Sequence, residues 1–189
     1  MSKLKLDKVN IIDLESTCWE NNLKPKGMLS EIIEIGICTI DITSLKKIKT
    51  RSILVKPIQS EISDYCTNLT SITTDLVAKE GTTFGEACNI LLNDFDSKNR
   101  VWGSWGDYDR AMFYEQCKSL CINYPLNKSH INLIPLFSLA YNLDKELGMA
   151  EALEIAKLEL KGIHHRGIDD AINIAELFID IIKRLRPIT

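Results

Sequence analysis

The segment from Ile168 to Arg186 constrains the architecture more than any other stretch of this sequence. Ile168, Ala171, Ile172, Ile174, Ala175, Leu177, Phe178, Ile181 and Ile182 recur at three- and four-residue spacing, which on a helix makes one broad apolar stripe. Lys183, Arg184 and Arg186 gather at its end, where the helix dipole favours cations. A stripe that wide has to be covered, so the segment predicts a long helix packed on a sheet.

The sheet comes from upstream. Val9–Ile12, Glu31–Ile42 (EIIEIGICTIDI) and Arg51–Lys56 (RSILVK) are rich in Ile and Val and read as strands. Lys46 and Lys47 fall in the connection between the second and third, so an antiparallel meander is expected, closed by Pro57. From Thr82 onward the pattern becomes helical, with Glu86 three residues after Thr83 as in a capping box. A short buried strand at Val101–Ser104 and a helix from Asp109 to Leu120 follow, so β-α alternation begins and parallel pairing with the first strand becomes available. Residues 131–160 read as shorter helices, with Pro135 in an early turn and Gly148 at a break. The expected class is α/β (α+β): a mixed sheet flanked by helices, without internal repeats. With 189 residues, 45% apolar content and no Gly/Pro/Ser-rich linker, one domain over 1–189 is expected.

Charge narrows the functional classes. The formal net charge is −3, so no global basic field gathers polyanions, and any nucleic-acid contact is local. The basic groups at Lys3, Lys5 and Lys8, at Lys46, Lys47, Lys49 and Arg51, and at the C-terminus read as solvated faces and helix ends. MSKLKLDKVN lacks a secretory apolar region, and no apolar run approaches the ~20 residues of a membrane span. A soluble protein of the cytoplasm or an organelle lumen is expected, with the cytoplasm preferred and no membrane partner. The six cysteines lack metal-ligand spacing and read as free, mostly buried thiols.

Three polar features interrupt the apolar pattern. Asp13 and Glu15 end the first strand, where a period of two puts both carboxylates on one face. Like charges that close raise each other's pKa unless a cation lies between them, so the pair is a candidate divalent-metal site. H-H-R-G-I-D-D-A at 164–171 opens the last helix. Capping would use one aspartate, but two are present, and a loop histidine nearby suits a general base. G-S-W-G-D-Y-D-R at 103–110 sets two aspartates after a strand, the end at which open α/β sheets collect ligands. Trp105 and Tyr108 add ring faces on which a base can stack.

Together these features resemble the DEDDh exonucleases of the ribonuclease H-like fold, whose signature is D-x-E, a distant aspartate after a strand, then H-x-x-x-x-D. The matching residues are Asp13 and Glu15, Asp109, and His165 with Asp170. D-L-E-S-T-C, L-T-S-I-T at 69–73 and H-R-G-I-D-D-A-I-N-I-A look most like the histone-mRNA and small-RNA 3′ exonuclease branch. The family carries an aromatic before its middle aspartate, which selects Asp109, preceded by Tyr108, over Asp107. Its spacing likewise selects His165 over His164.

The resemblance implies a 3′-to-5′ exonuclease that uses two divalent cations, Mg²⁺ or Mn²⁺, and acts on single-stranded RNA or DNA 3′ ends, RNA being preferred. Asp13 would contact both ions, Glu15 and Asp170 would complete the site of the attacking water, and Asp109 would support the second ion. His165 would accept the water's proton, and Thr17 and Tyr108 would hold the terminal nucleotide. A DNA proofreading or repair exonuclease, or a silent RNA-binding or interaction module, are the alternatives.

Overall fold

The computed structural model describes residues 3–186, so the outermost residues of the expected 1–189 span lie outside the described part. Strands β1 (Lys5–Ser16), β2 (Ile32–Asp41), β3 (Lys46–Leu54), β4 (Arg100–Ser104) and β5 (His130–Asn132) form one sheet in the order β3-β2-β1-β4-β5. The first three are antiparallel neighbours, and β4 then joins β1 in parallel, with β5 parallel to β4. Helices α1 (Asp64–Thr70), α2 (Thr74–Glu80), α3 (Phe84–Phe95), α4 (Tyr108–Ser119), α5 (Leu133–Ala140), α6 (Met149–Ala156) and α7 (Gly167–Leu185) complete the fold. The mixed sheet, the parallel return at β4 and the closing helix are all as the sequence predicts.

Several boundaries differ. Lys46 and Lys47 are the first residues of β3, paired with Asp41 and Ile40, and the connection is the turn 42–45. An edge strand tolerates such charges because one side of it is solvated. Strand β1 runs beyond Ile12 through Asp13 and Glu15 to Ser16, because β2 pairs with it along that whole length. Helices α1 and α2 carry too few apolar positions to show a period in seven residues each, and their signals are the caps Ser63 and Thr73. Strand β5 has three half-buried residues and no periodicity to read. The expected Thr83–Glu86 capping box does open α3.

The period of two in β1 sorts its side chains between two cores. Ile12 and Leu14 face α3 and α4, where they meet Phe84, Leu91 and Phe113. Val9 and Ile11 face α7, α5 and α6, meeting Ile174, Leu177, Phe178 and Phe137. Burying each such side chain contributes roughly 1.5–3 kcal/mol, so both layers fix the sheet firmly. Asp13 and Glu15 continue the Val9–Ile11 row on the α7 face. The layer under α7 therefore changes from hydrocarbon to carboxylate where that helix begins.

One close approach sets the position of the helix start. Asp13 pairs with Gly36 across β1 and β2, and a methyl group on Gly36 would collide with the carbonyl of Gly167. Gly167 itself lies so near that an added Cβ would stand 3.2 Å from the Asp13 carbonyl oxygen. Two glycines back to back thus let the first turn of α7 rest on the backbone of β1 and β2.

Candidate active site

At the carboxyl ends of β1 and β4 the chain forms an open cleft of about 370 Å³, lined by Asp13, Glu15, Ser16, Trp105, Tyr108, Asp109, His164, His165 and Asp170 among others. All five residues that match the DEDDh signature line it: both carboxylates of β1, Asp109 from the first turn of α4, and His165 and Asp170 from the start of α7. One carboxylate oxygen from each of Asp13, Glu15 and Asp170 lies within 4.8 Å of the others.

Each carboxylate is held by backbone donors or by its strand. Asp109 is 4% exposed and accepts a 3.0 Å hydrogen bond from the amide of Leu14, which ties α4 to β1 beside Asp13. Asp170 accepts from the amide of His165 at 2.9 Å and sits in the first turn of α7, where the helix dipole favours a negative charge. Asp169 does different work: its carboxylate accepts from the amide of Ile163 at 2.9 Å and secures the loop before the helix.

The crowding of like charges shows in the titration of the group. Burial, followed by the fields of Asp109, Glu15 and Asp170, pushes the Asp13 carboxyl well above the usual carboxylate range. Burial and the charges of Asp170 and Glu34 push Glu15 up to about 8. Burial raises Asp109 to about 7, against the pull of its bond from Leu14. Asp170 is also raised by burial, with His164 opposing. No lysine or arginine lines the cleft among the described residues.

The histidines stand at the rim. His165 has a left-handed backbone, φ 65°, and its ring stacks on that of His164 at 4.0 Å. Burial lowers its pKa, so the imidazole is neutral near pH 7 and can accept a proton. His164, set aside on spacing, is the one whose Nδ1 touches Asp170, at 3.1 and 3.2 Å from its two oxygens. The doublet itself was the only sequence signal for that contact.

Tyr108 is 57% exposed, and its hydroxyl shares a 2.8 Å hydrogen bond with that of Ser16. Trp105 lines the cleft but packs its ring edgewise on Phe137 and donates to the carbonyl of Leu147 at 3.0 Å. Asp107 points away from the cleft, where it accepts from Asn132 at 3.0 Å and neighbours Arg110 and His130.

Thr17, expected with Tyr108 to hold the terminal nucleotide, lies between Ser16 and Cys18, which both line the cleft. It is fully buried, and its hydroxyl donates to the carbonyl of Leu29 at 3.2 Å while accepting from the amide of Glu31 at 2.9 Å. Those bonds use its polar capacity to fix the segment after β1. Ser16 is the hydroxyl that reaches the cleft.

Sequence reasoning also missed a supporting pair. Glu34 stands opposite Glu15 in the register of β1 and β2 and is completely buried. Its carboxylate accepts from the amide of Gly167 at 2.9 Å, from Arg166 Nε at 3.1 Å and from the Ser52 hydroxyl at 2.5 Å. It therefore caps α7 from across the sheet, since Arg166 at the cap position offers no side-chain acceptor. A charge in the middle of the apolar run E-I-I-E-I-G-I was the available signal.

A mixed sheet with four carboxylates and a histidine at the carboxyl ends of its parallel strands defines a ribonuclease H-like nuclease architecture. Comparison with known proteins gives the family: residues 11–178 match the Exonuclease family of RNase T type, and the chain belongs to it. Rat 3′-5′ exoribonuclease 1 is 29% identical over 190 residues, covering 94% of this chain and 53% of that protein. The chain thus spans about half the length of that relative. The probable 3′-5′ exonuclease KapD of Bacillus subtilis is 29% identical over 171 residues, covering 89% of this chain and 81% of KapD. Among solved structures, the nuclease domain of 3′hExo, a DEDDh family member bound to rAMP, superposes with a TM-score of 0.81 at 26% identity over 96% of this chain and 94% of that one.

Proposed function

We propose that this chain is a divalent-metal-dependent 3′-to-5′ exonuclease that hydrolyses single-stranded or short RNA ends to nucleoside 5′-monophosphates, with residues 1–189 forming one exonuclease domain. The observation that carries this reading is the convergence of Asp13, Glu15 and Asp170 within 4.8 Å of one another in an open cleft, with Asp109 and His165 beside them. RNA is favoured over DNA because the named relatives include exoribonucleases and a structural neighbour bound to rAMP.

The residues fit a pair of hard cations. Their donors are all carboxylate oxygens, and burial together with mutual repulsion raises the pKa values of Asp13 and Glu15, a penalty that opposite charge relieves. Mg²⁺ or Mn²⁺ suits oxygen ligands that leave room for water. Asp13, Glu15 and Asp170 would hold one ion and Asp13 with Asp109 the other. When bound, such cations neutralise the scissile phosphate, activate water and stabilise the leaving oxygen. With no lysine or arginine lining the cleft among the described residues, that neutralisation would fall to them.

The chain's own groups do the rest. His165, neutral near pH 7, accepts the proton of the attacking water at a ring nitrogen. Asp170, bonded to the His165 amide, keeps that ring beside the carboxylates. Tyr108 offers an exposed ring fixed through Ser16, and stacking a terminal base there contributes ~1–3 kcal/mol without sequence preference.

The test is product analysis by chromatography after incubating single-stranded RNA and matching DNA with Mg²⁺, Mn²⁺ or EDTA. Nucleoside 5′-monophosphates released in metal and absent in EDTA, faster from RNA, are expected. Nucleoside 3′-monophosphates, or release unaffected by EDTA, would contradict the proposed chemistry.

A further inference from the structure

Asp170 belongs to two groups of ligand atoms of different character. One is the oxygen set with Asp13 and Glu15; the other joins it to a ring nitrogen of His164 and one of His165, again all within 4.8 Å of one another. We propose that His164, His165 and Asp170 form a second cation site that takes a borderline transition ion such as Zn²⁺ and, by occupying Asp170 and His165, inhibits the exonuclease centre. The inhibitory half rests on the function proposed above; the binding half does not.

The donor set carries the choice of ion. Two imidazoles and one carboxylate suit Zn²⁺ or Co²⁺, whereas Mg²⁺ prefers oxygen and keeps its waters. Around a tetrahedral zinc, with metal–ligand distances near 2.0–2.2 Å, donor atoms stand about 3.3 Å apart. The His164–Asp170 edge already has that length, with Nδ1 at 3.1 and 3.2 Å from the two carboxylate oxygens. The stacked His165 ring, 4.0 Å from that of His164, would close the other two edges, already within 4.8 Å, by rotating about its own side-chain bonds. Backbone bonds hold the frame: the His165 amide donates to Asp170 at 2.9 Å, so the carboxylate and the histidine loop keep their relative places.

Access and exchange follow from burial. The side chain of His164 is 40% exposed while that of Asp170 is 6% exposed, so an ion enters from the His164 side. Three protein ligands leave a coordination position for water, which marks a reversible site rather than a closed structural one. With the metal on Nδ1, the neutral His164 ring carries its N–H on Nε2. Because Asp170 cannot serve both groups fully, Zn²⁺ and Mg²⁺ compete, and His165 coordinated to zinc has no lone pair free for the water's proton.

The experiment uses Co²⁺ as a spectroscopic probe and Zn²⁺ as the inhibitor. Wild type, His164→Gln and Asp13→Asn proteins are stripped with EDTA, dialysed and titrated with CoCl₂. Wild type and Asp13→Asn are expected to develop the visible absorption of a four- or five-coordinate site with nitrogen ligands, and His164→Gln to lose it. A band that survives His164→Gln but disappears in Asp13→Asn, or only the weak spectrum of octahedral cobalt in wild type, overturns the site. In turnover assays with Mg²⁺, Zn²⁺ should inhibit wild type at a concentration that rises with Mg²⁺. For His164→Gln, relative to its own uninhibited rate, that concentration should rise about tenfold or more. A cobalt band in wild type with no inhibition by zinc would keep the site and reject its regulatory role, separately from any failure of the exonuclease reading.

Discussion

Withdrawing the cations should turn the active site into a pH-dependent source of instability. Glu15 titrates near 8 in the folded chain against an ordinary 4.5, and Asp109 near 7 against 3.8. Because these folded values lie above the unfolded ones, the fold favours the protonated carboxyls. Their stabilising contribution is present below about pH 4.5 and is lost as the pH rises through 7 to 8. At ~1.4 kcal/mol for each pH unit between the two values, Glu15 alone accounts for about 5 kcal/mol by pH 9. Asp109 shares the same field, so the two contributions are not summed. About 3.5 kcal/mol of the Glu15 contribution is lost between pH 5.5 and 8, and since 1 kcal/mol moves Tm by roughly 2–4 °C for a domain of this size, the expected fall from pH 5.5 to 9 is about 7–14 °C. The assay is thermal unfolding followed by circular dichroism between pH 5.5 and 9, in EDTA and in Mg²⁺. Tm in EDTA should decline across this window and Mg²⁺ should restore most of the loss. Asp13→Asn, which removes one of the crowded charges, should melt higher than wild type in EDTA at pH 8.5 while losing turnover. A flat profile in EDTA, or an Asp13→Asn protein less stable than wild type there, would refute the electrostatic account.

Three further perturbations address other parts of the site. Arg166→Met leaves the fully buried Glu34 without its guanidinium partner. It should lower unfolding free energy by about 3 kcal/mol, the low end for a broken buried pair because Arg166 is partly solvated; an unchanged urea midpoint would argue against that role. Asp109→Asn should abolish activity, whereas Asp107→Asn, on the far side of the α4 start, should keep most of it, and the reverse ranking in single-turnover rates would exchange the two assignments. Tyr108→Ala should raise KM for RNA roughly fivefold to hundredfold, the equivalent of ~1–3 kcal/mol of stacking, and an unaltered KM would remove the base platform.

The legible parts of this protein are those where one residue's chemistry meets one simple period. The apolar stripe of α7 is long and unbroken, and alternation in β1 puts Asp13 and Glu15 on the face that the stripe covers. The family resemblance selected Asp109, through the aromatic before it, and His165, through its spacing to Asp170, and both line the cleft. What escaped depends on contacts between distant segments. Glu34 reads as a charge within an apolar strand until β2 lies beside β1, when its carboxylate meets Gly167 some 130 positions away in the chain. The contact between Gly36 and Gly167 carries no local signature either, because any strand glycine looks permissive in isolation. The partners of the Thr17 hydroxyl, Leu29 and Glu31, are likewise not legible from its position after D-x-E. His164 lay outside the expected spacing, yet its ring is the one on Asp170.

The central claim, that the Asp13 cluster drives stepwise removal of nucleotides from a 3′ end, is tested most directly by a time course on 5′-labelled single-stranded RNA resolved to single nucleotides. Wild type in Mg²⁺ should give a ladder shortening from the 3′ end, and both EDTA and Asp13→Asn should leave the substrate full length. Release of the label as a mononucleotide at the first time point, internal cuts without a ladder, or an undiminished ladder from Asp13→Asn would contradict the account.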